Sequence, residues 1–226
     1  MQCDFDPSVV QAILFDLDGT LIDTDDAIIK AWSNRLRWIS RDPGRLVRRL
    51  LMASETPTNA FITLLDMLHI DDDLFSLNDR LRQLRGLRTP ANFLAVDGIV
   101  DLLHALVAHY PLAVVTTRSR HDTWAFLDQY WIRDCFRVVT THEDTVRLKP
   151  HPEPIRRTAQ ILGVPVEHCL MVGDTTVDIL SARRAGAMSV GVLCGFGERA
   201  ELERAGANAI LESTAELGTL LKFVSP

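Results

Sequence analysis

Lysine is scarce in this sequence, and the charge pattern of a nucleic-acid-binding protein is missing. Of the 24 lysine and arginine residues, all but Lys30, Lys149 and Lys222 are arginine. Because the chain uses arginine so consistently elsewhere, each lysine is a candidate for a specific role. The net charge is −6 at pH 7, whereas proteins that bind nucleic acid present a basic surface. We therefore expect no nucleic-acid partner.

Long apolar runs and paired cysteines are also missing. No apolar run reaches the roughly 18–20 residues that a membrane-spanning helix needs, so we expect no membrane partner. Residues 1–7 lack the basic region and apolar core of a secretory signal, which predicts a cytoplasmic protein. The isolated cysteines, without a Cys-x-x-Cys pair, are predicted to be free thiols rather than zinc ligands or disulfides. They are Cys3, Cys135, Cys169 and Cys194.

An unbroken apolar run near the start of the chain ends abruptly in polar residues. The run Ala12–Phe15 is followed directly by Asp16, Leu17, Asp18, Gly19 and Thr20. Consecutive apolar residues without alternation predict a strand that is covered on both faces, as in a parallel sheet flanked by helices. Open parallel sheets bind ligands beyond the carboxyl ends of their strands. The two aspartates are therefore candidate site residues.

A long helical insert is predicted between the first strand and the second. Residues 24–93 contain no strand-like run but four stretches of helical periodicity, which begin near Ile28, Leu46, Phe61 and Leu74. With 226 residues and 47% hydrophobic residues, the chain can form a large domain and a smaller one. We predict an α-helical cap domain over residues 23–94.

The rest of the chain alternates between strands and helices. This alternation predicts an α/β fold, with a doubly wound parallel sheet formed by residues 1–22 and 95–226. The predicted strands after the first are 112–116, 136–140, 169–172, 189–193 and 209–211. The predicted helices are 98–110, 120–131, 152–162, 176–185 and 215–223.

Polar residues follow four of the predicted strands, and in one parallel sheet these ends meet at the same edge. They are Asp16 with Asp18, Thr116 with Thr117, Lys149, and Asp174 with Asp178. Clustered carboxylates repel one another unless a cation lies between them, and an all-oxygen ligand set suits Mg²⁺. Threonine hydroxyls beside a helix start bind anions, and a lysine can hold a phosphate.

These residues resemble the four sequence motifs of the haloacid dehalogenase superfamily, in the same order and with similar spacing. The matching residues are Asp16-x-Asp18-Gly19-Thr20, Thr116, Lys149-Pro150 and Gly173-Asp174-x3-Asp178. Within the superfamily the chain is most similar to the phosphoglycolate phosphatase-like branch, which carries a helical cap of the C1 type. The resemblance implies a phosphatase that acts on a small phosphorylated metabolite, as a monomer or homodimer.

The resemblance also implies a role for each catalytic residue. Asp16 would be the nucleophile that carries a transient aspartyl-phosphate. Asp18 would protonate the leaving oxygen and then deprotonate the attacking water. Thr116 and the amide of Thr117 would bind the phosphoryl oxygens, and Lys149 would bind the phosphoryl group and offset the charge on Asp16.

A magnesium site is implied by the same resemblance. Its ligands would be Asp16, the backbone carbonyl of Asp18 and Asp174, with Asp178 behind them as a support for the ligands. Asp178 could instead be a direct ligand, or it could only place a negative charge in the first turn of its helix.

Several alternatives are open from the sequence. Many phosphoglycolate phosphatases carry Thr-Asn-Lys where this chain carries Thr116-Thr117-Arg118, and a related pyrophosphatase branch can carry Thr-Thr-Lys, so pyrophosphate is an alternative substrate. A phosphosugar mutase is less favoured because Thr20 stands where those enzymes usually place valine. A phosphoreceiver module would lack the helical insert. Arg118 is either a substrate contact or an exposed loop residue, and the same choice applies to the cap arginines Arg41, Arg45, Arg48 and Arg49.

Overall fold

The computed structural model of the chain describes residues 5–23 and 93–222. Apart from Asp23, Phe93 and Leu94, the predicted cap therefore lies outside the described residues. The described part contains one parallel sheet of six strands. The strands are β1 (Ala12–Phe15), β2 (Leu112–Val115), β3 (Phe136–Thr140), β4 (Cys169–Gly173), β5 (Met188–Val192) and β6 (Ala209–Leu211).

Six α-helices connect and cover these strands within the described residues. They are α1 (Ile99–Leu106), α2 (Arg120–Gln129), α3 (Glu153–Leu162), α4 (Thr176–Ala185), α5 (Arg199–Ala205) and α6 (Leu217–Leu220). Short 3₁₀ helices lie at Pro7–Val9, Arg133–Cys135, Val166–His168 and Thr214–Glu216.

The strand order is β3-β2-β1-β4-β5-β6, which places β1 in the interior of the sheet. The chain builds outward from β1 through β2 and β3, and then returns to the other side of β1 with β4. In open α/β sheets, ligands bind in the crevice beyond the carboxyl ends of the strands where the order reverses. In this chain that point lies between β1 and β4, directly after Phe15 and Gly173.

Side chains of β1 alternate between two hydrophobic clusters, one on each face of the sheet. Ile13 and Phe15 pack in the cluster that contains buried residues of α1 and α2. Ala12 and Leu14 pack in the cluster that contains buried residues of α3 and α4. All four side chains are fully buried. This two-sided burial explains the unbroken apolar run and confirms the predicted α/β fold with helices on both faces of a parallel sheet.

The predicted elements agree with the described ones except at some helices. The helix predicted at 98–110 ends at Leu106, and the one at 215–223 is a 3₁₀ turn followed by the short α6. No helix was predicted at Arg199–Ala205, because only Leu202 and Ala205 of this short segment are buried and they give too little periodicity to recognise. Cys135, Cys169 and Cys194 are free thiols, as predicted.

The chain leaves the sheet after β1 and returns to it at neighbouring positions. The N–H of Asp23 donates a hydrogen bond to the carbonyl of Leu94 at 2.8 Å, and Ile22 pairs with Ala95 in an antiparallel bridge. The residues before 24 and after 92 are therefore joined beside the carboxyl end of β1. Of the helices in the described ranges, none has the length and apolar character needed to cross a membrane.

Candidate active site

Lys149 joins two carboxylates at the carboxyl end of β1. Its Nζ donates hydrogen bonds to Asp16 Oδ1 at 2.6 Å, to Asp178 Oδ1 at 2.6 Å and to the carbonyl of Val115 at 2.9 Å. An ammonium group has three protons, so these three acceptors use all of them. The side chains of Lys149 and Asp178 are 4% and 1% exposed. The three charged groups form a buried ion cluster that links the sheet, the loop after β3 and the start of α4.

Asp178 also helps to begin α4. Its Oδ2 accepts hydrogen bonds from the backbone N–H of Thr175 at 3.1 Å and from the Thr175 hydroxyl at 2.6 Å. A carboxylate in the first turn that bonds back to the residue before the helix satisfies donors left free at the helix end. Its other oxygen accepts a hydrogen bond from Lys149. Asp178 therefore links the lysine to the start of α4.

Burial raises the pKa of Asp16 from 3.8 to about 7, even though the charge of Lys149 acts in the opposite direction. The charges of Asp178 and Asp18 add to this upward shift. Burial would lower the pKa of Lys149, but the charges of Asp16 and Asp178 hold it above its ordinary value. The lysine is therefore charged at neutral pH, while Asp16 lies close to its titration point.

Asp174 brings a third buried carboxylate to the same place. Oxygen atoms of Asp16, Asp174 and Asp178 all lie within 4.8 Å of one another. Asp174 Oδ2 accepts from the N–H of Phe196 at 2.8 Å, and its Oδ1 accepts a long hydrogen bond of 3.5 Å from the Thr20 hydroxyl. Three carboxylates against one ammonium leave an excess of negative charge, and an all-oxygen set of this kind suits a hard cation.

The loop after β5 comes into close contact with Asp174. A Cβ atom on Gly195 would overlap the Asp174 carboxylate, and one on Gly197 would overlap its backbone carbonyl oxygen. Gly19, which follows Asp18, approaches the same carboxylate and has a φ of +71°. These positions need glycine because any side chain would displace Asp174.

Asp18 has a different partner from Asp16: its carboxylate is paired with the guanidinium of Arg118. Arg118 Nε donates to Asp18 Oδ2 at 2.9 Å, and one terminal nitrogen of the same guanidinium contacts Asp18 Oδ1. The two side chains are 22% and 32% exposed, Arg118 being the more buried. Burial would lower the pKa of Arg118, but its hydrogen bond to Asp18 and the charge of that carboxylate raise it.

A cavity of about 110 Å³ opens among these residues. The described residues that line it are Asp16, Asp18, Thr117, Lys149, Thr175, Val177, Asp178 and Phe196. Thr116 is buried beside this group, and its hydroxyl accepts a hydrogen bond from the N–H of Arg118 at 3.0 Å. The cavity is far smaller than the roughly 300 Å³ or more of a typical drug-sized site, and its charged lining suits a small ion or polar group.

A family model described as "Haloacid dehalogenase-like hydrolase" matches residues 13–192. The chain belongs to the haloacid dehalogenase-like hydrolases. It is 32% identical over 189 residues to the pyrophosphatase PpaX of Bacillus pumilus, covering 82% of this chain and 84% of that protein. It is 28% identical over 210 residues to the phosphoglycolate phosphatase of Neisseria meningitidis, covering 84% of this chain and 83% of that protein. A hydrolase from Pseudomonas syringae has a similar structure, with a TM-score of 0.69 and 26% identity over 95% of this chain and all of that one.

In this haloacid dehalogenase-like hydrolase, the structure brings the sequence-predicted residues to one edge of the sheet. Asp16, Lys149, Asp174 and Asp178 form a single buried cluster. Asp18 and Thr117 line the adjoining cavity. Among the described residues, the group of carboxylates whose oxygens lie within 4.8 Å of one another contains Asp16, Asp174 and Asp178 but not Asp18.

Two features of the site were not predicted for this hydrolase. The sequence left Arg118 open as a substrate contact or an exposed loop residue, whereas its guanidinium pairs with Asp18. Phe196, in the loop after the predicted strand 189–193, was not among the predicted site residues, whereas its N–H donates a hydrogen bond to Asp174 and it lines the cavity. The two glycines that flank Phe196 were the available signal, because paired glycines indicate a close backbone approach.

Proposed function

We propose that the chain is a Mg²⁺-dependent phosphatase that transfers the phosphoryl group of a small phosphomonoester first to Asp16 and then to water. The observation that carries this proposal is the buried pairing of Asp16 with Lys149 beside a charged cavity. Lys149 Nζ donates to Oδ1 of Asp16. The other oxygen, Oδ2, would be the atom that attacks phosphorus.

The donor set fits a magnesium ion. The carboxylate oxygens of Asp16, Asp174 and Asp178 lie close together, are buried and carry more negative charge than Lys149 offsets. We propose Asp16, Asp174 and the backbone carbonyl of Asp18 as the direct ligands. Asp178, whose two oxygens already bind Lys149 and Thr175, would support them. When bound, Mg²⁺ would supply positive charge for the phosphoryl oxygens.

The remaining chemistry is proposed for side chains of this chain. Asp16 attacks phosphorus and the leaving oxygen takes a proton from Asp18. Water then attacks the aspartyl-phosphate while Asp18 accepts a proton from it. Thr116 and Thr117 would bind phosphoryl oxygens, and the Thr116 hydroxyl keeps its own proton for this because it accepts from Arg118. Lys149 would act mainly through its charge, since protein acceptors use all three of its protons.

Inorganic pyrophosphate is the second candidate substrate. Two observations favour it: Thr116-Thr117 precedes a basic residue in this chain, and the Bacillus pumilus relative is named a pyrophosphatase. The Neisseria meningitidis relative is named a phosphoglycolate phosphatase, which supports the first candidate. A comparison of kcat/KM for phosphoglycolate, pyrophosphate, sugar phosphates and nucleotides would separate the two.

The wider setting of the site is also a proposal. We propose that residues 23–94 form a helical cap that closes over the cavity and selects the substrate. The enzyme would act in the cytoplasm as a monomer or homodimer. The paired segments around Asp23 and Leu94 support a hinge beside the site.

The proposal is tested by the hydrolysis of p-nitrophenyl phosphate by the purified protein. We expect activity that requires Mg²⁺, disappears with EDTA and is abolished by Asp16→Asn, because an amide cannot act as the nucleophile. Asp101→Asn, at an exposed position on α1, is the matched control and should retain activity. Full activity in EDTA or in the Asp16→Asn variant would contradict the proposal.

A further inference from the structure

The guanidinium of Arg118 pairs with the carboxylate of Asp18, which lines the cavity of the candidate site. We propose that Arg118 is a positioning residue that holds the Asp18 carboxylate in one orientation for hydrolysis of the aspartyl-phosphate on Asp16. This inference rests on the proposed function. It adds a role for Arg118, which stands where the sequence comparison places a lysine.

The geometry of the pair fixes the direction of the Asp18 carboxylate. Two nitrogens of one guanidinium face its two oxygens, with Nε 2.9 Å from Oδ2. A planar fork of this kind holds a carboxylate in one orientation, which a lysine ammonium cannot do.

Arg118 is itself held in place on several sides. The backbone N–H of Arg118 donates to the Thr116 hydroxyl at 3.0 Å, and the backbone carbonyl oxygen of Arg118 lies 3.2 Å from His142 Nδ1. The guanidinium carbon is 5.6 Å from the centre of the Phe93 ring, within range of a cation–π interaction. The backbone of Phe93 forms hydrogen bonds in turn with the side chains of Gln129 and Tyr130. The guanidinium is therefore preorganised before substrate arrives.

Asp18 needs this support more than the other acidic residues of the site. Its side chain is 32% exposed, whereas Asp16 and Asp178 are held by a buried lysine. Asp18 lines the cavity, while Arg118 is not among the described residues that line it. Arg118 therefore acts on the reaction through Asp18.

The step that depends on this pair is the second half of the reaction. A water oxygen forms a bond to phosphorus, and the bond between phosphorus and the Asp16 carboxylate oxygen breaks. One proton of the water passes to Asp18, inorganic phosphate leaves, and Asp16 is restored as a carboxylate. A general base works only within hydrogen-bond reach of the proton it takes, so a freely rotating Asp18 would slow this step.

The experiment separates the two half-reactions with p-nitrophenyl phosphate, whose leaving oxygen needs little help from a proton donor. Phosphoenzyme is measured by acid quench and intact-protein mass spectrometry, and its decay is followed after substrate is removed. We expect Arg118→Gln to slow decay and lower kcat by about 10- to 100-fold, while kcat/KM changes by less than about threefold because KM falls with kcat. Arg118→Lys keeps the charge but not the planar fork. Its decay rate and kcat should lie between those of Arg118→Gln and those of the unchanged protein.

Arg120→Gln is the matched control, because Arg120 lies two residues away and pairs with Asp144 and Glu143 outside the cavity lining. Its phosphoenzyme should decay at the unchanged rate. Unchanged decay in Arg118→Gln, or an equal fall in kcat and kcat/KM, overturns the inference but not the proposed function. Absence of hydrolysis by the unchanged protein overturns both. If thermal unfolding shows that Arg118→Gln does not fold, Arg118→Lys provides the same test.

Discussion

Lys149 uses all three of its ammonium protons on protein acceptors, and two of these acceptors are buried carboxylates. The lysine therefore neutralises part of the charge that the site concentrates at the end of β1. Removing one partner from a buried ion pair leaves a charge without compensation, which is more damaging than replacing the whole pair. Lys149 thus contributes to folding as well as to the proposed chemistry.

We expect Lys149→Met to lower the free energy of unfolding by about 3 kcal/mol, since Asp16 and Asp178 would then face each other without the lysine. The variant should also lose phosphatase activity. Urea unfolding followed by circular dichroism measures the first effect. Lys222→Met, at an exposed position, is the control and should leave the unfolding midpoint unchanged. A midpoint in Lys149→Met equal to that of the control would contradict this account of the cluster.

The raised pKa of Asp16 has a consequence for metal binding. In the free protein Asp16 is half-protonated near pH 7, but a carboxylate ligand must be ionised, so binding of Mg²⁺ displaces the proton. The apparent affinity for Mg²⁺ should therefore rise about tenfold between pH 6 and pH 8 and level off above that range.

Isothermal titration calorimetry in buffers of different ionisation enthalpy would measure both the affinity and the protons released. In Asp16→Asn the group that titrates is gone, so the remaining affinity should depend much less on pH. If the affinity of the unchanged protein for Mg²⁺ does not change between pH 6 and pH 8, Asp16 is ionised throughout that range and this account is wrong.

At the scale of single residues, the sequence predicted the charged groups but not all of their contacts. Asp16, Lys149 and Asp174 could be found because each follows a recognisable strand or lies in a motif. The pairing of Arg118 with Asp18 could not, because it depends on the path of the loop between β2 and α2. A local pattern does not specify which of two nearby carboxylates an arginine contacts.

At the scale of elements, the loop that follows β5 is part of the site although it belongs to no strand or helix. Its residues approach Asp174 closely through Gly195 and Gly197, and Phe196 donates an N–H to the carboxylate. This loop therefore binds one oxygen of Asp174, while the Thr20 hydroxyl binds the other.

We expect Gly195→Ala to weaken Mg²⁺ binding by about 10- to 100-fold, since its Cβ would displace Asp174 and disturb the groups that orient this ligand. Calorimetry measures the affinity, and thermal unfolding shows whether the fold is retained. Gly218→Ala is the control, because a Cβ there meets only Leu102 Cδ1 at an ordinary 3.4 Å. Equal affinities in the two variants would mean that the loop does not hold Asp174.

Elements with strong apolar patterns could be predicted, and those with weak patterns could not. The buried strands β1, β2 and β4 are short apolar runs that end in polar residues, and these features are visible in the sequence. Helix α5 was missed because it buries only Leu202 and Ala205. Its position is set by packing of Leu202 against the last part of the sheet, which the local sequence does not reveal.

At the scale of the whole molecule, the parallel sheet was predictable because its strands alternate with helices along the chain. The order β3-β2-β1-β4-β5-β6 was not, since a sequence shows which strands exist but not how they pair. That order brings Asp16 and Asp174, which are far apart in the chain, to adjacent strands. The site is therefore a product of topology as well as of motifs.

The interior position of β1 ties Asp16, the proposed nucleophile, to the most protected part of the backbone. β1 is hydrogen-bonded to β2 and β4 and is covered on both faces. Amide hydrogens in such a strand exchange with solvent only when most of the domain opens, unlike those in loops and at chain ends. Partial fraying at the chain ends would therefore leave Asp16 in place, and its position should be lost only when the sheet itself opens.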